Sequence, residues 1–203
     1  MKDYLSQLNE FQKLPTIHKN GPVMVIAGAG SGKTRVLTYR IAYLMENGID
    51  PFSILALTFT NKAAKEMKER IALIVGESNA KSLWMGTFHS IFSRILRSEA
   101  EYLGYSSNFS IYDTQDSERL ISAIIKELKL DKDLYKYRNI RNRISSLKNN
   151  LVTVKAYHNN SELIQQDKES RKPMFGKIYQ TYVDRCFKAS AMDFDDLLLK
   201  TNE

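Results

Sequence analysis

Residues 23–34 read Val-Met-Val-Ile-Ala-Gly-Ala-Gly-Ser-Gly-Lys-Thr, so an apolar run leads directly into a glycine-rich turn that ends in a lysine. An amphipathic stretch follows from Arg35 onward. This order of strand, glycine loop and helix is typical of a phosphate-binding loop. Glycines let the backbone turn tightly, so that several N–H groups can point at phosphate oxygens, and the positive end of the following helix adds to their field. The stretch therefore predicts a nucleotide site at the end of a buried strand.

The residue types in this loop suggest a specific chemistry. Lys33 would reach the terminal phosphates of a nucleotide, and the Thr34 hydroxyl would ligate Mg²⁺. The backbone around the phosphates would comprise Ala27, Gly28, Ala29, Gly30, Ser31 and Gly32. Ala27 departs from the general pattern, because it stands where the first glycine usually lies. The alternative is a glycine-rich turn that binds nothing, but the Gly-Lys-Thr ending and both flanks favour the phosphate loop.

Composition indicates a globular protein without a disulfide framework. Of the 203 residues, 43% are hydrophobic and 26% are charged, which is ordinary for a globular chain. No apolar run approaches the roughly 20 residues of a membrane span, and residues 1–5 lack the apolar core of a secretory signal. The single cysteine, Cys186, fits a reducing cytoplasm and a buried position on a helix. The net charge of +7 permits an anionic partner without requiring one.

The first half of the chain alternates predicted strands and helices. Strands are predicted over residues 23–26, 54–59, 82–86 and 109–112, and helices over 32–47, over 61–75 and around 91–96. Asn61 is the predicted N-cap of the second of these helices. Alternation of this kind implies a parallel sheet flanked by helices and joined by right-handed crossovers, which is the α/β class.

After Tyr112 the pattern becomes helical, and residues 113 to about 190 are predicted to form a second, smaller all-α unit. Asp113 or Thr114 would cap its first helix. Residues 149–171 are polar and poorly periodic, which predicts a loop with short helical pieces. Asp193 is predicted to cap a final helix, with Asp196 accepting hydrogen bonds from its first turn.

Polar and aromatic residues follow the second and third predicted strands. Phe59 and Asn61 come after the second strand, and Thr87 and His89 come after the third. In a parallel sheet the carboxyl ends of the strands carry the binding surface. An exposed phenylalanine there can stack on a base, and an asparagine can bond a sugar or backbone group. The alternatives are core packing for Phe59 and a structural hydrogen bond for His89.

These segments resemble the N-terminal part of a superfamily 1 DNA helicase of the UvrD/Rep/PcrA group. Ala-Gly-Ala-Gly-Ser-Gly-Lys-Thr-Arg from residue 27 is similar to the first motif of that group, including its alanine. Thr-Phe-Thr-Asn-Lys-Ala-Ala from residue 58 and Gly-Thr-Phe-His-Ser from residue 86 resemble the next two motifs. Leu-Asn-Glu-Phe-Gln at 8–12 resembles the adenine-reading motif, and Met-Asp-Phe-Asp-Asp-Leu at 192–197 resembles the segment that leads to the Walker B region.

The resemblance implies a domain organisation. Residues 1–112 would form the N-terminal part of a RecA-like lobe with its parallel sheet and phosphate loop. Residues 113–190 would be an all-helical insertion subdomain, and residues 191–203 would return to the lobe as a helix. Asp195 and Asp196 are not expected to be the Walker B carboxylates, because no apolar strand precedes them and the Asp-Glu pair of the family comes later.

The resemblance also implies roles for single residues. Gln12 would bond the adenine edge of ATP, and Arg35 would pack on the adenine face as a planar cation. The single-stranded DNA would run over Phe59, Asn61, Thr87 and His89. Ordinary polar surface positions are the alternatives for Gln12 and Arg35.

The helical region contains a basic stretch. Residues 136–155 hold no acidic residue and six basic ones: Lys136, Arg138, Arg141, Arg143, Lys148 and Lys155. They could contact the phosphates of DNA, with Arg141 and Arg143 as the candidate contacts. A solvated helix face is an equally good interpretation.

The implied whole protein is a two-lobed motor that uses ATP and Mg²⁺, moves along single-stranded DNA from 3′ to 5′ and unwinds duplex DNA. The 203 residues hold no Asp-Glu-x-Gln-Asp motif, so this chain alone is expected to hydrolyse ATP negligibly. Three alternatives stay open: a helicase–nuclease subunit with the same motifs, a nucleotide kinase, and a non-catalytic nucleic-acid-binding module. The kinase does not account for the segments after the second and third strands.

Overall fold

A computed structural model describes residues 4–203, in which helices predominate over two small parallel sheets. The chain divides into two units, one ending at Ile91 and the other beginning at Phe92. The predicted α/β class is confirmed, although each sheet among the described residues has only two strands. A full RecA-like sheet is therefore not present in residues 4–203.

The elements of the first unit surround one small sheet. In chain order they are a 3₁₀ turn (Tyr4–Gln7), α1 (Glu10–Ile17), α2 (Lys33–Glu46), a 3₁₀ turn (Pro51–Ser53), β1 (Leu55–Thr58), α3 (Asn61–Val75), α4 (Glu77–Ser82), β2 (Trp84–Thr87) and the start of α5 (Phe88–Glu99). β1 and β2 run parallel, with Leu55 opposite Trp84 and Thr58 opposite Thr87. Their core contains Ile41 of α2 together with Met67 and Ile71 of α3.

The two long helices of this unit begin and end where their sequences predict. α2 ends at Glu46, and Gly48 after it takes a positive φ of 86°. α3 ends in the same way before Gly76, whose φ is 88°. The predicted cap of α3 was one residue off: the Thr60 side chain, not Asn61, accepts a hydrogen bond from the Ala63 N–H.

The predicted strand at residues 23–26 is wrong, because this segment has no regular secondary structure. Met24 and Ile26 are 84% and 89% exposed, although the apolar run had predicted burial. The physical reason is that a strand needs a hydrogen-bonded neighbour. Within residues 4–203, β1 pairs with β2 and β3 pairs with β4, so no strand pairs with residues 23–26.

The second unit is helical except for one pair of short strands. Its elements are a 3₁₀ turn (Ala100–Leu103), β3 (Ser110–Tyr112), α6 (Thr114–Glu127), α7 (Tyr137–Asn149), α8 (Val154–His158), α9 (Ser161–Glu169), α10 (Phe175–Lys188), β4 (Ala191–Asp193) and α11 (Phe194–Asn202). β3 and β4 pair in parallel, with Ser110 opposite Ala191. Ile121, Ile140, Phe175, Ile178 and Tyr179 are almost fully buried in its main core.

Local sequence signals predicted the helix caps and the short helices of this unit. Asp113 caps α6 and Asp193 caps α11, each in a reciprocal pair with the aspartate three residues later. The polar region 149–171 contains the two short helices α8 and α9, as predicted. One expectation was wrong: a buried strand, β4, does precede Asp195 and Asp196. A strand of three residues is too short for its apolar pattern to be predicted from the sequence.

None of the described helices combines the length and apolar character that crossing a membrane requires.

Candidate functional site

The glycine loop closes around its own lysine. Gly30 and Gly32 take positive φ angles of 78° and 86°, which side chains disfavour and glycine allows. The Lys33 Nζ donates to the carbonyl oxygens of Ala27 at 2.8 Å and Gly28 at 2.6 Å. The Ser31 hydroxyl donates to the Gly28 oxygen at 2.7 Å. The predicted phosphate loop therefore has a defined, turn-rich conformation with an exposed ammonium group at its centre.

Gln12 lies against this loop. Its Nε2 donates to the Ser31 carbonyl oxygen at 2.9 Å, and its backbone N–H and side chain form a capping box with Asn9 at the start of α1. A Cβ atom at Gly32 would lie 2.7 Å from the Gln12 Nε2, so a larger residue would displace the end of the Gln12 side chain, and the φ of 86° at Gly32 disfavours a side chain there in any case. The structure thus brings Gln12 and the loop together, 19 residues apart in sequence. One of the two Nε2 donors stays available for a ligand.

The N-terminus of α2 carries no side-chain cap. Its N-cap is Gly32, and the first turn contains Lys33 and Thr34 but no acidic residue. The N–H groups of a first helical turn have no acceptor within the helix, so they offer hydrogen bonds to an anion. At the start of α3, by contrast, the Thr60 hydroxyl oxygen accepts a hydrogen bond from one such N–H group, that of Ala63. Lys33, Thr34 and Arg35 are all exposed beside these free donors, which suits a phosphate chain.

No protein-only metal site is present among residues 4–203, where no group of three or more histidine, cysteine or acidic residues could hold an ion. The exposed Thr34 hydroxyl therefore fits the Mg²⁺ of a nucleotide only if the phosphates and water supply further oxygen ligands.

The segments after β1 and β2 leave the sheet at the same edge. Thr58 lies opposite Thr87 in the parallel register, so Phe59 and Asn61 follow one strand where His89 follows its neighbour. Phe59 is 93% exposed, and Asn61 is also exposed. Core packing of Phe59 is therefore excluded.

Thr87 and His89 are both half-buried. The Thr87 hydroxyl bonds the Ser90 hydroxyl at 3.1 Å and accepts from the Ser90 N–H at 3.3 Å. Thr87 therefore fixes the start of α5, so it would present its neighbours to a ligand in a defined orientation.

The basic stretch separates into exposed and structural cations. Lys136, Arg138 and Lys155 are exposed. Arg143 is half-buried, and its Nε lies 3.4 Å from the Asp167 carboxylate. Arg141 is half-buried too, and its Nε lacks a hydrogen-bond partner among the described residues. The contribution of Arg141 and Arg143 to a DNA surface stays a prediction.

Lys148 does not belong to any exposed basic face, so its place in the predicted contact stretch was wrong. It is 1% exposed, and its Nζ lies 2.7 Å from Asp193 and 2.8 Å from Asp196. The Tyr182 hydroxyl donates to Asp193 at 2.8 Å and lies 3.0 Å from the Ser117 hydroxyl. We call Ser117, Lys148, Tyr182, Asp193 and Asp196 the buried polar centre.

The charges of this centre compensate one another. Burial disfavours the Lys148 ammonium, yet the two carboxylates hold its pKa above the usual 10.5. Burial raises the pKa of Asp196 from 3.8 to about 6, with the Asp193 charge adding to the rise. For Asp193, the Lys148 charge and the hydrogen bonds from Lys148 and Tyr182 outweigh burial and lower the pKa. The centre is therefore an ion-paired joint between α7, α10 and the start of α11.

Comparison with known proteins decides the family. Residues 8–203 match the family model of the UvrD/REP helicase N-terminal domain. The chain belongs to this family. It is 45% identical over 199 residues to the ATP-dependent DNA helicase UvrD1 of Mycobacterium tuberculosis, covering 97% of this chain and 25% of that protein. It is 40% identical over 202 residues to the ATP-dependent DNA helicase PcrA of Staphylococcus aureus, covering 99% of this chain and 27% of that protein.

The resemblance read from the five motifs is thus confirmed. The chain spans about a quarter of the length of the curated UvrD1 and PcrA relatives that it matches.

Proposed function

We propose that this chain is the N-terminal ATP- and DNA-binding part of an ATP-dependent DNA helicase that moves from 3′ to 5′ along single-stranded DNA and unwinds duplex DNA in the cytoplasm. The observation that carries the proposal is the loop of residues 27–34, which surrounds an exposed lysine in front of an uncapped helix. Membership of the UvrD/REP family supports it. Residues 1–112, 113–190 and 191–203 would serve as lobe, helical insertion and return helix.

ATP would bind with its phosphates in the glycine loop. The Lys33 ammonium would exchange the Ala27 and Gly28 carbonyl oxygens for phosphate oxygens, which carry more negative charge. The Thr34 hydroxyl would ligate Mg²⁺. Gln12 would donate its second Nε2 hydrogen to the adenine edge, and Arg35 would stack on the adenine face. Hydrolysis of bound ATP would supply the free energy for movement.

Single-stranded DNA would bind at the shared edge of β1 and β2. A base stacked on the exposed Phe59 ring is worth about 1–3 kcal/mol. Asn61, Thr87 and His89 would bond the backbone and bases from the same edge. Arg141 and Arg143 would add phosphate contacts in the helical unit.

Two single substitutions test the two sites separately. With a fluorescent ATP analogue and Mg²⁺, we expect Lys33→Ala to weaken binding at least about tenfold, since it removes a charge-assisted contact worth about 1.5–3 kcal/mol. With labelled oligothymidylate, we expect Phe59→Ala to weaken binding about tenfold through lost stacking. Fluorescence anisotropy measures both affinities.

Each variant serves as the control of the other. Lys33→Ala should keep its affinity for oligothymidylate in the absence of nucleotide, and Phe59→Ala should keep its affinity for the ATP analogue. Unchanged nucleotide binding by Lys33→Ala would contradict the phosphate site. Unchanged DNA binding by Phe59→Ala would contradict the DNA edge.

A further inference from the structure

A groove follows α6 and the segment between α6 and α7 in the helical unit. It consists of two adjoining cavities of about 390 Å³ and 620 Å³, which share Ser122, Tyr137 and Arg138. Both volumes lie in the range of about 300–1,000 Å³ that is typical of ligand sites. The small side chains of Ser122 and Ala123 on α6 leave the room for it. We call this feature the α6–α7 groove.

The rim of the groove is strongly basic. Glu118 is the one acidic residue that lines the groove. Five cationic side chains line it: Arg119, Lys126, Lys132, Lys136 and Arg138. Lys126, Lys132 and Lys136 are exposed, and no carboxylate of residues 4–203 forms an ion pair with them. Arg138 reaches the half-buried Glu118 only at 3.8 Å, and its own side chain is largely exposed to water, which weakens the pair. The rim therefore attracts an anionic ligand.

The floor of the groove is apolar. Ile125 and Tyr135 contribute to it, and Tyr135 is held in place because its hydroxyl oxygen accepts a hydrogen bond from the Met174 N–H at 3.2 Å. Tyr137 forms part of the wall and is 37% exposed. An apolar floor inside a basic rim is complementary to a ligand that carries both carboxylates or phosphates and an apolar group.

The aromatic rings favour a peptide over a nucleic acid. Tyr135 is only 4% exposed, so it has no open face on which a base could stack. The Arg138 guanidinium lies over one face of the Tyr137 ring, 5.7 Å from its centre, so a base cannot stack on that face. Base stacking needs such open faces, whereas an aliphatic or aromatic side chain of a peptide needs only apolar contact.

We propose that the α6–α7 groove binds a short acidic peptide segment of a partner protein. The carboxylates of the segment pair with Lys132, Lys136 and their basic neighbours, and one large apolar side chain packs against Tyr137, which is partly exposed in the wall. None of the groove residues belongs to the proposed ATP site or to the DNA contacts assigned under the proposed function, although Lys136 and Arg138 also lie in the basic stretch considered for DNA phosphates.

The test uses the 203-residue chain and a fluorescein-labelled peptide of aspartates around one central phenylalanine. Fluorescence anisotropy at low salt should show saturable binding. Lys132→Glu combined with Lys136→Glu should weaken this binding at least about tenfold, because it places repulsive charges on the rim. The matched control is Lys155→Glu combined with Lys168→Glu, which changes the net charge equally at exposed positions outside the groove. It should weaken binding less than about twofold.

Two further arms separate the groove from a general polyanion surface. Replacing the phenylalanine of the peptide by alanine should weaken binding about tenfold, and Ser122→Trp, which fills the groove, should do the same. Equal effects of both lysine pairs, or no effect of the phenylalanine, would overturn the proposal. Loss of oligothymidylate binding in the Lys132/Lys136 variant as large as the loss of peptide binding would overturn it in favour of a nucleic-acid surface. An unchanged circular dichroism spectrum and an unchanged midpoint of thermal unfolding confirm that each variant is folded.

Discussion

Lys33 and Lys148 make almost the same hydrogen bonds in opposite surroundings. Lys33 donates to two backbone carbonyls at 2.6–2.8 Å on the exposed glycine loop. Lys148 contacts two carboxylates at 2.7–2.8 Å and is almost fully buried. The first pair of acceptors is neutral and open to water, so a phosphate can replace it. The second pair is charged and enclosed, so nothing can replace it without leaving buried charges.

This difference predicts how each lysine affects stability. Hydrogen bonds between exposed groups contribute little net stability, because water competes for both partners, and substitutions at such positions usually change the free energy of unfolding by no more than about 0.5 kcal/mol. Removing one partner of a buried ion pair costs about 3–5 kcal/mol, because the other charge stays buried. One lysine should therefore serve ligand binding and the other the fold.

Replacing each lysine by methionine tests this contrast with the largest expected effect. We expect Lys148→Met to lower the free energy of unfolding by about 3–5 kcal/mol, because Asp193 and Asp196 lose their counter-charge. We expect Lys33→Met to lower it by no more than about 0.5 kcal/mol. Urea unfolding followed by circular dichroism measures both values.

Lys155→Met is the matched control in the helical unit, because Lys155 is exposed on α8. It should change the free energy of unfolding by no more than about 0.5 kcal/mol. Similar losses in Lys33→Met and Lys148→Met would show that burial does not separate the two lysines.

The second prediction concerns pH and the buried polar centre. The pKa of Asp196 is about 6 in the folded chain against an ordinary 3.8, so between these values the folded state binds more protons than the unfolded state. The contribution of Asp196 to stability should therefore decrease as the pH rises from about 4 to 6, by on the order of 2 kcal/mol. The lowered pKa of Asp193 acts below pH 3.8, and the raised pKa of Lys148 acts above pH 10.5, outside this window.

Asp196→Asn should remove most of this slope, because an amide does not titrate. Urea unfolding at pH 4.5 and pH 7 on both proteins measures it. Asp195→Asn is the control, since Asp195 lies next in sequence but is only half-buried and has no contact with Lys148. An equal slope in the wild-type chain and Asp196→Asn would mean that another group causes the pH dependence.

Signals carried by neighbouring residues were readable from the sequence, and those that depend on distant partners were not. The glycine loop, the caps at Asp113 and Asp193 and the helices of the second unit follow local rules of spacing and turn chemistry. The segment 23–26 looks like a strand, but its strand character depends on a neighbour that local composition cannot reveal.

Lys148 was missed for a related reason, since a lysine in a basic run suggests a solvated position. A signal was present: Ile140, Ile144 and Lys148 recur every four residues, which places the lysine on the buried stripe of α7. Its partners lie 45 residues or more away, so the ion pairing itself required the structure.

The smallest prediction concerns Gln12, whose contacts divide into a helix cap and a loop contact. Gln12→Ala should remove the side-chain acceptor of the Asn9 N–H and the contact with the Ser31 oxygen, and it should lower the free energy of unfolding by about 1 kcal/mol. Gln12→Glu should keep the cap, since a glutamate oxygen accepts the Asn9 N–H equally well, but it lacks the donor that reaches the Ser31 oxygen. Amide hydrogen exchange should then quicken at residues 28–32 in both variants and at the start of α1 only in Gln12→Ala. Faster exchange at the start of α1 in both variants would show that α1 and the glycine loop open together as one cooperative unit. The stability of the loop would then depend on α1, although Lys33 on the loop is exposed.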